Sequence, residues 1–385
     1  MLPYWRLSAY YFFYFAFIGA FSPYFGIYLH SLRFSAWDIG VLMSLMQVMR
    51  VVAPNIWGWL SERVGSRMPI VRFAAAASVV GFLSLFFTHS FGGIFLGMAV
   101  LAFFWGAALP LTESVTLSHL GSRAARYGGI RVWGSVGFIV AVLGCGYLLD
   151  FAHLGSLLWV MLALLAGILA SALLVPDAAP VRHESDRLPL AEIMRRREVM
   201  SLLAACFAMS AAHGALYVFY SIFLVAHGYS KGLVGWLWAL GVIAEIGVFL
   251  AMPLLLRAFS LRTILLASFG CAVARFLMIG WGVDSLLVIL AAQVLHGATF
   301  GAYHASAVAA INRWFGGRHQ ARGQALYSSV SFGAGGMAGG LISGYTWDSI
   351  GAALTYSLSS GFALAGLVLV WITFREPSSG IDAER

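Results

Sequence analysis

Charge is what this 385-residue sequence has least of. Only 10% of its residues are Asp, Glu, Lys or Arg, whereas soluble domains run near roughly a quarter. With 61% hydrophobic residues and a mean hydropathy of +0.88, a soluble globular domain is excluded and a polytopic membrane protein remains. Cysteine is nearly as scarce. Cys145, Cys206 and Cys271 all fall inside apolar stretches, where they read as small apolar side chains and not as a disulfide framework. No Cys or carboxylate stands at ligand spacing from His213, His296 or His304, and there is no P-loop or Rossmann glycine pattern. No metal, ATP or dinucleotide is therefore expected. No soluble domain or low-complexity tail is legible. The first apolar stretch is too long and too aromatic for a cleavable signal peptide.

What is there is a series of apolar runs. A bilayer-spanning helix needs about 20 such residues. That ruler predicts an all-α membrane protein of twelve helices, near 4–30, 38–60, 69–89, 92–118, 127–149, 155–175, 199–226, 232–256, 262–282, 285–312, 323–347 and 351–374. The one long polar stretch between them, 176–198, follows six spans and precedes six. It predicts an N-terminal six-helix bundle over 1–175, a linker over 176–198 and a C-terminal six-helix bundle over 199–385. The halves resemble each other. Under a shift of 195, Ile27-Tyr28-Leu29 meets Ile222-Phe223-Leu224, Gly40 meets Gly235, and Arg50 lands on Glu245. Near 194, "SVGF" from Ser135 meets "SVSF" from Ser329. A parallel pseudo-symmetric 6+6 repeat is one arrangement of secondary transporters, which bind substrate near the bilayer midplane.

Loop charge sets orientation, because cytoplasmic loops retain Lys and Arg. Eighteen arginines fall on the side of the termini and only Arg33 and Lys231 on the other, which predicts that both termini are cytoplasmic. The net charge of +8 is thus a topology signal and calls for no nucleic-acid partner.

Five charged residues sit well inside predicted spans: Arg50, Glu113, Arg131, Glu245 and Arg275. A central charge costs about 2.5–3.5 kcal/mol even on the lenient insertion scale, so such residues face a cavity and find partners. Residues equally far from a hairpin turn lie at one depth. Glu113 and Arg131 are centred on residue 122, Glu245 and Arg275 on residue 260, and Arg275 and His296 between Asp284 and Leu287. Fifteen residues from a turn is roughly 20 Å, near the membrane middle. Glu245, Arg275 and His296 are therefore expected to form one layer, and Glu113 with Arg131 another, somewhat closer to the cytoplasm. Ion pairs that only fix helix register are the alternative. His213 and His304 lie on repeat-equivalent spans and are further candidates, since imidazole relays protons or donates to a ligand. Most of the aromatic residues, 15% of the chain, are expected in interface belts or packing.

The loop "GWLSERVGSR", Gly58 to Arg67, resembles the signature Gly-x-x-x-Asp-Arg-x-Gly-x-Arg/Lys of the major facilitator superfamily, with Glu62 in place of the usual Asp. There Gly58 permits close helix approach, Gly65 permits a tight turn, and Glu62, Arg63 and Arg67 latch the cytoplasmic ends. "YGGIRVWGSVGF" resembles the fifth helix of lactose permease, which implies sugar-type binding roles for Arg131 and Glu113. Glu245, Arg275 and His296 are similar to charged residues on its later helices. Its coupling carboxylate, one turn after the histidine, has no counterpart among Ala298, Thr299 and Phe300. "SPYFGIYL", "RVVAPNIWGWLSER", "LWALGVIAEI" and "LHGATFGAYHA" together resemble the phenylpropionate-permease-like branch. The resemblance implies a monomeric proton symporter of the bacterial inner membrane that imports an aromatic carboxylate. Arg275, Arg131, Arg50, His296, His304 and His213 would serve the substrate, and Glu245 or Glu113 the proton. A sugar or nucleoside symporter, a drug/proton antiporter and a non-transporting receptor are the alternatives. Span 5 lacks the Gly-Pro kink of the antiporters.

Overall fold

A computed structural model describes residues 2–178, 193–315 and 320–374. Every regular element among them is helical. The first six are α1 (Tyr4–Ser31), α2 (Ala36–Val64), α3 (Met68–Leu83), α4 (Phe91–Leu120), α5 (Tyr127–Phe151) and α6 (Ser156–Leu174). Then come α7 (Arg197–Ala212) and α8 (Gly214–Ala226), broken at His213, followed by α9 (Lys231–Ala258) and α10 (Leu261–Trp281). Next, α11 (Leu286–Val294) and α12 (Tyr303–Trp314) flank a π-helical stretch, Gly297–Ala302. Likewise α13 (Gln320–Ser328) and α14 (Gly336–Ile350) flank the π-helical Ser329–Gly335, and α15 (Ala352–Thr373) closes the series.

Among the described residues, eleven helices meet the length and apolarity needed to cross a membrane. The remaining path, 320–350, is continuously helical, but its glycine- and serine-rich composition is less apolar. Lipid-type surface is plain on α9, where Leu250 and Leu254 are 78% and 67% exposed. Local signals start and stop these helices. Ser35 and Asp38 form a reciprocal capping box on α2, while Ser90 and Ser260 cap α4 and α10. Gly65 ends α2 at φ +70°, a left-handed turn that glycine adopts without strain.

By packing, the chain divides into two units. Unit 1 is Met1–Arg182 with Tyr217–Ala239, and unit 2 is His183–Leu216 with Leu240–Arg385. The hairpin 217–239, expected in the second bundle, packs instead with the first six helices. Most of the expected linker lies outside the described residues.

The repeat is visible in the physics of each unit. In unit 1 a β-carbon on Gly19 would stand 2.6 Å from the Phe138 carbonyl oxygen, so α1 and α5 cross backbone to backbone. The residue 195 positions on, Gly214, crosses Gly339 of α14 just as closely in unit 2. Small residues at such crossings let transmembrane helices gain dispersion contact. Arginines close the helix ends in the same pattern. In unit 1 Arg72 donates to the Ala172 and Val175 carbonyls at 3.1 and 2.9 Å. In unit 2 Arg262 donates to the Trp371 carbonyl at 2.6 Å. Each cation sits on the negative end of a helix. The "SVGF"/"SVSF" match does not extend to geometry, because Ser135 lies in a regular α-helix and Ser329 opens a π-helical stretch.

Candidate functional site

Unit 2 assembles its polar layer around Arg275, which is 0% exposed on α10. Its Nε donates to the Ala292 carbonyl at 2.9 Å, near the C-terminal end of α11. One terminal nitrogen donates to Thr299 Oγ1 at 3.1 Å and lies 3.3 Å from His213 Nε2, while the other donates to Gln293 Oε1 at 3.4 Å. These acceptors are neutral, and a guanidinium presents enough N–H groups in a fixed fork to serve them all. The helix break places His213 here, with its Nδ1 bonded to the Met209 carbonyl at 2.8 Å. The His213 and His296 ring centres are 6.2 Å apart, and His296 Nε2 lies 3.8 Å from the Glu245 carboxylate. Glu245, His296, His213 and Arg275 thus form one connected layer, as the hairpin arithmetic predicts for three of them.

The layer retains unused polar capacity. His296 Nδ1 and Gln293 Nε2 are buried without a hydrogen-bond partner among the described residues. Glycines make the fit possible. A β-carbon on Gly241 would come within 3.2 Å of both Gln293 and His296, and one on Gly297 within 2.7 Å of the Ala244 carbonyl. His304 belongs to a separate cluster. It bonds Tyr327 at 2.8 Å, and the Phe300 ring stacks between it and His296, at 5.9 and 5.5 Å.

Unit 1 is built differently. Glu113 accepts one hydrogen bond, from the Tyr127 hydroxyl at 3.1 Å. The Arg131 guanidinium lies over the Phe15 ring, 3.8 Å from its centre, and 5.9 Å from the centre of Tyr11. Gly134 makes that stacking possible, since a β-carbon there would stand 2.7 Å from both Arg131 and Phe15. Among the described residues no hydrogen bond or ion pair within 4.0 Å engages the Arg131 guanidinium. Between Glu113 and Arg131 stand two tyrosines: Tyr11, beneath the guanidinium, packs edge-on against Tyr127 at 6.4 Å. From Phe15 an aromatic run continues through Tyr14 to Trp105, stacked at 4.4 Å and 9°. Arg50 lies partly buried on α2. Trp105 Nε1 and Gln47 Oε1 are buried without a hydrogen-bond partner among the described residues. Sequence reasoning missed Trp105, Gln47, Gln293 and Thr299 as site residues, because these residue types carry no signal apart from their neighbours. An open cleft of about 610 Å³ at Tyr28, His89, His153 and Trp159 holds none of these charges.

The signature loop is held within unit 1. Arg63 stacks on Trp59 at 4.1 Å, and Arg67 donates to Ser118 at 3.3 Å. The Asp177 carboxylate, just past α6, accepts from the Ser66 hydroxyl and the Arg67 amide and so caps α3. Gly58 corrects an expectation: a β-carbon there would meet nothing within 4 Å, so no close helix approach requires it in this structure. Gly65 makes the turn expected of it. Glu62 lies in α2, but its side chain is outside the described ones.

Eleven membrane-length helices among the described residues, an internal repeat and charged residues within the helices of both units agree with the family match, and the chain is a transporter of the major facilitator superfamily. Within it, the chain belongs to the MFS_1 like family, whose pattern it matches over residues 4–358. It is 30% identical over 336 residues to a probable 3-phenylpropionic acid transporter of Escherichia coli (strain K12), across 84% of this chain and 86% of that one. It is 27% identical to the maltose permease of Geobacillus stearothermophilus (96% and 94%) and 23% identical to the xanthosine permease of Escherichia coli (83% and 82%). A crystal structure of the nucleoside transporter NupG superposes with a TM-score of 0.85 at 17% identity, covering 96% of this chain and 99% of that one, a likeness of fold.

Proposed function

We propose that the protein is a proton-coupled symporter that imports an aromatic carboxylate across a bacterial inner membrane, with both termini cytoplasmic. One observation carries the substrate class: a half-buried guanidinium, Arg131, lies on an aromatic ring with its N–H groups unengaged among the described residues. A guanidinium in that state accepts a carboxylate in bidentate geometry, and the aromatic run from Phe15 to Trp105 suits an attached ring. The similarity to a probable 3-phenylpropionic acid transporter supports the same class. Arg275 is held by Ala292, Thr299, Gln293 and His213, and its role here is to fix His213 and the turn carrying Gln293. Glu245 carries the proton. Its protonation removes a buried charge as the substrate anion adds one, so the loaded carrier avoids the cost of an extra charge at mid-membrane. His296, against that carboxylate, serves as its relay. The chain works as a monomer, and its gating loop, Gly58 to Arg67, acts on the conformational equilibrium.

The test is uptake of 3-phenylpropionate into proteoliposomes under an inward proton gradient, with xanthosine and maltose as competitors. Uptake that collapses with the gradient and resists both competitors is expected. Uptake of xanthosine or maltose with none of 3-phenylpropionate overturns the substrate class. A second reading, a nucleoside or sugar symporter, is favoured by one observation: Trp105 Nε1 and Gln47 Oε1 offer neutral hydrogen bonds that a carboxylate alone does not use.

A further inference from the structure

The end of unit 1 opposite the chain termini is stitched together by bonds that the substrate reading does not use. Asp150, in the last turn of α5, receives the first two amides of α9: Lys231 N–H on Oδ1 at 2.8 Å and Gly232 N–H on Oδ2 at 2.9 Å. The Lys231 ammonium stands 3.9 Å from the same carboxylate. A carboxylate on a helix N-terminus gains from the unpaired amides and from the helix dipole together. Beside it, Tyr24 of α1 donates to the Val142 carbonyl at 2.7 Å and reaches the Lys231 carbonyl at 3.2 Å. Trp236 donates to the Tyr147 hydroxyl at 2.8 Å.

Glycines bring the backbones this close. A β-carbon on Gly146 would stand 2.6 Å from the Lys231 carbonyl, and one on Gly235 would stand 2.7 Å from the Tyr24 hydroxyl. On α8, the Val218 carbonyl and the Ile222 side chain lie 3.0 and 3.5 Å from where a Gly26 β-carbon would be. The hairpin that these contacts hold is the outer turn of the second repeat, and both of its helices lead on into unit 2. These are the contacts that would part when that face opens.

We propose that Asp150 is the positioning residue of a gate on the face opposite the termini. Seated on the α9 amides and paired with Lys231, it holds the 217–239 hairpin against α1 and α5 and releases it once per transport cycle. The inference rests on the transport reading. It adds a residue that acts on access and touches neither substrate nor proton.

The test needs neither substrate nor gradient, so its failure is separable from failure of the symport reading. Ile222, 9% exposed and covered by α1, becomes a reporter thiol as Ile222→Cys, with Cys145 and Cys271 changed to Ala. Cys206, 0% exposed in unit 2, remains as the internal control. Alkylation by a polar maleimide is followed peptide by peptide on the purified full chain. Asp150→Ala should speed labelling at position 222 about tenfold, as loss of two charge-assisted bonds shifts the population toward the open face. Cys206 should be unaffected. Gly232→Ala keeps the carboxylate but places a methyl 2.9 Å from its Oδ2. It should shift labelling the same way, and it carries the test if Asp150→Ala does not fold. Unchanged labelling at position 222 overturns the proposal. So does labelling that rises equally at 222 and 206, because that reports a loosened fold and not a gate.

Discussion

Units 1 and 2 each place an arginine and a glutamate within their helices, yet they partner them in opposite ways. In unit 2 Arg275 is wholly enclosed and its N–H groups serve Ala292, Thr299, Gln293 and His213. In unit 1 Arg131 lies on the Phe15 face with no hydrogen bond among the described residues, and Glu113 has only Tyr127. The difference separates two uses of one chemistry. A guanidinium whose donors serve buried acceptors of the fold is a framework piece, and removing it strands its partners. One held by a ring face keeps its donors for a ligand.

The largest expected effect tests the framework role. Arg275→Met should leave four buried acceptors unmatched and lower stability by about 3 kcal/mol, measured by thermal denaturation in detergent. Arg275→Lys should recover only part, because an ammonium does not reproduce the fork. A stable Arg275→Met protein that has lost substrate binding alone would erase the contrast between units. Next, Arg131→Gln should leave the melting temperature nearly unchanged. It should weaken 3-phenylpropionate binding by about 2 kcal/mol, roughly thirtyfold in Kd, read by calorimetry. Smaller still is Gly134→Ala, whose methyl crowds both Arg131 and Phe15 and should cost about 1 kcal/mol of the same binding.

The smallest effect concerns Asp177 at the far end of unit 1. Partial burial alone would raise its carboxyl. Hydrogen bonds from the Ser66 hydroxyl and the amides of Ala178, Met68 and Arg67 outweigh that and hold it below the usual carboxylate range. A depressed folded value means the stabilisation is complete above the ordinary value, near about 4, and is lost as pH falls through the lower folded one. The protection factor of the Arg67 amide should therefore be flat from neutral pH down to that ordinary value and decline below it. In Asp177→Asn it should be low throughout.

Depth was readable in the sequence; direction around each helix was not. Counting residues from hairpin turns brings Glu245 and His296 to one level, and the structure puts them 3.8 Å apart. The 195 shift that aligns Gly19 with Gly214 reappears as two backbone crossings. The same counting put Arg131 and Glu113 in one layer, where Tyr127 and Tyr11 stand between them. Depth follows from a rise of about 1.5 Å per residue, whereas azimuth depends on how neighbouring helices pack. The π-helical stretches at Gly297–Ala302 and Ser329–Gly335 add residues to a turn without any sequence mark, which is why "SVGF" and "SVSF" differ in shape. Asp177 was hidden for another reason. It follows α6 directly and reads as linker, while its partners lie more than a hundred residues earlier.

The central claim, that unit 2 holds the proton and unit 1 the anion, is tested most directly by comparing Glu245→Gln with Glu113→Gln in proteoliposomes. Each is loaded with 3-phenylpropionate and assayed both for exchange and for accumulation driven by a pH gradient. Glutamine at 245 imitates the protonated acid at similar volume. That variant should exchange substrate at a rate near the parent's and accumulate none above equilibrium, while Glu113→Gln still concentrates it. Accumulation that survives in Glu245→Gln and disappears in Glu113→Gln would contradict the account and move the proton to unit 1.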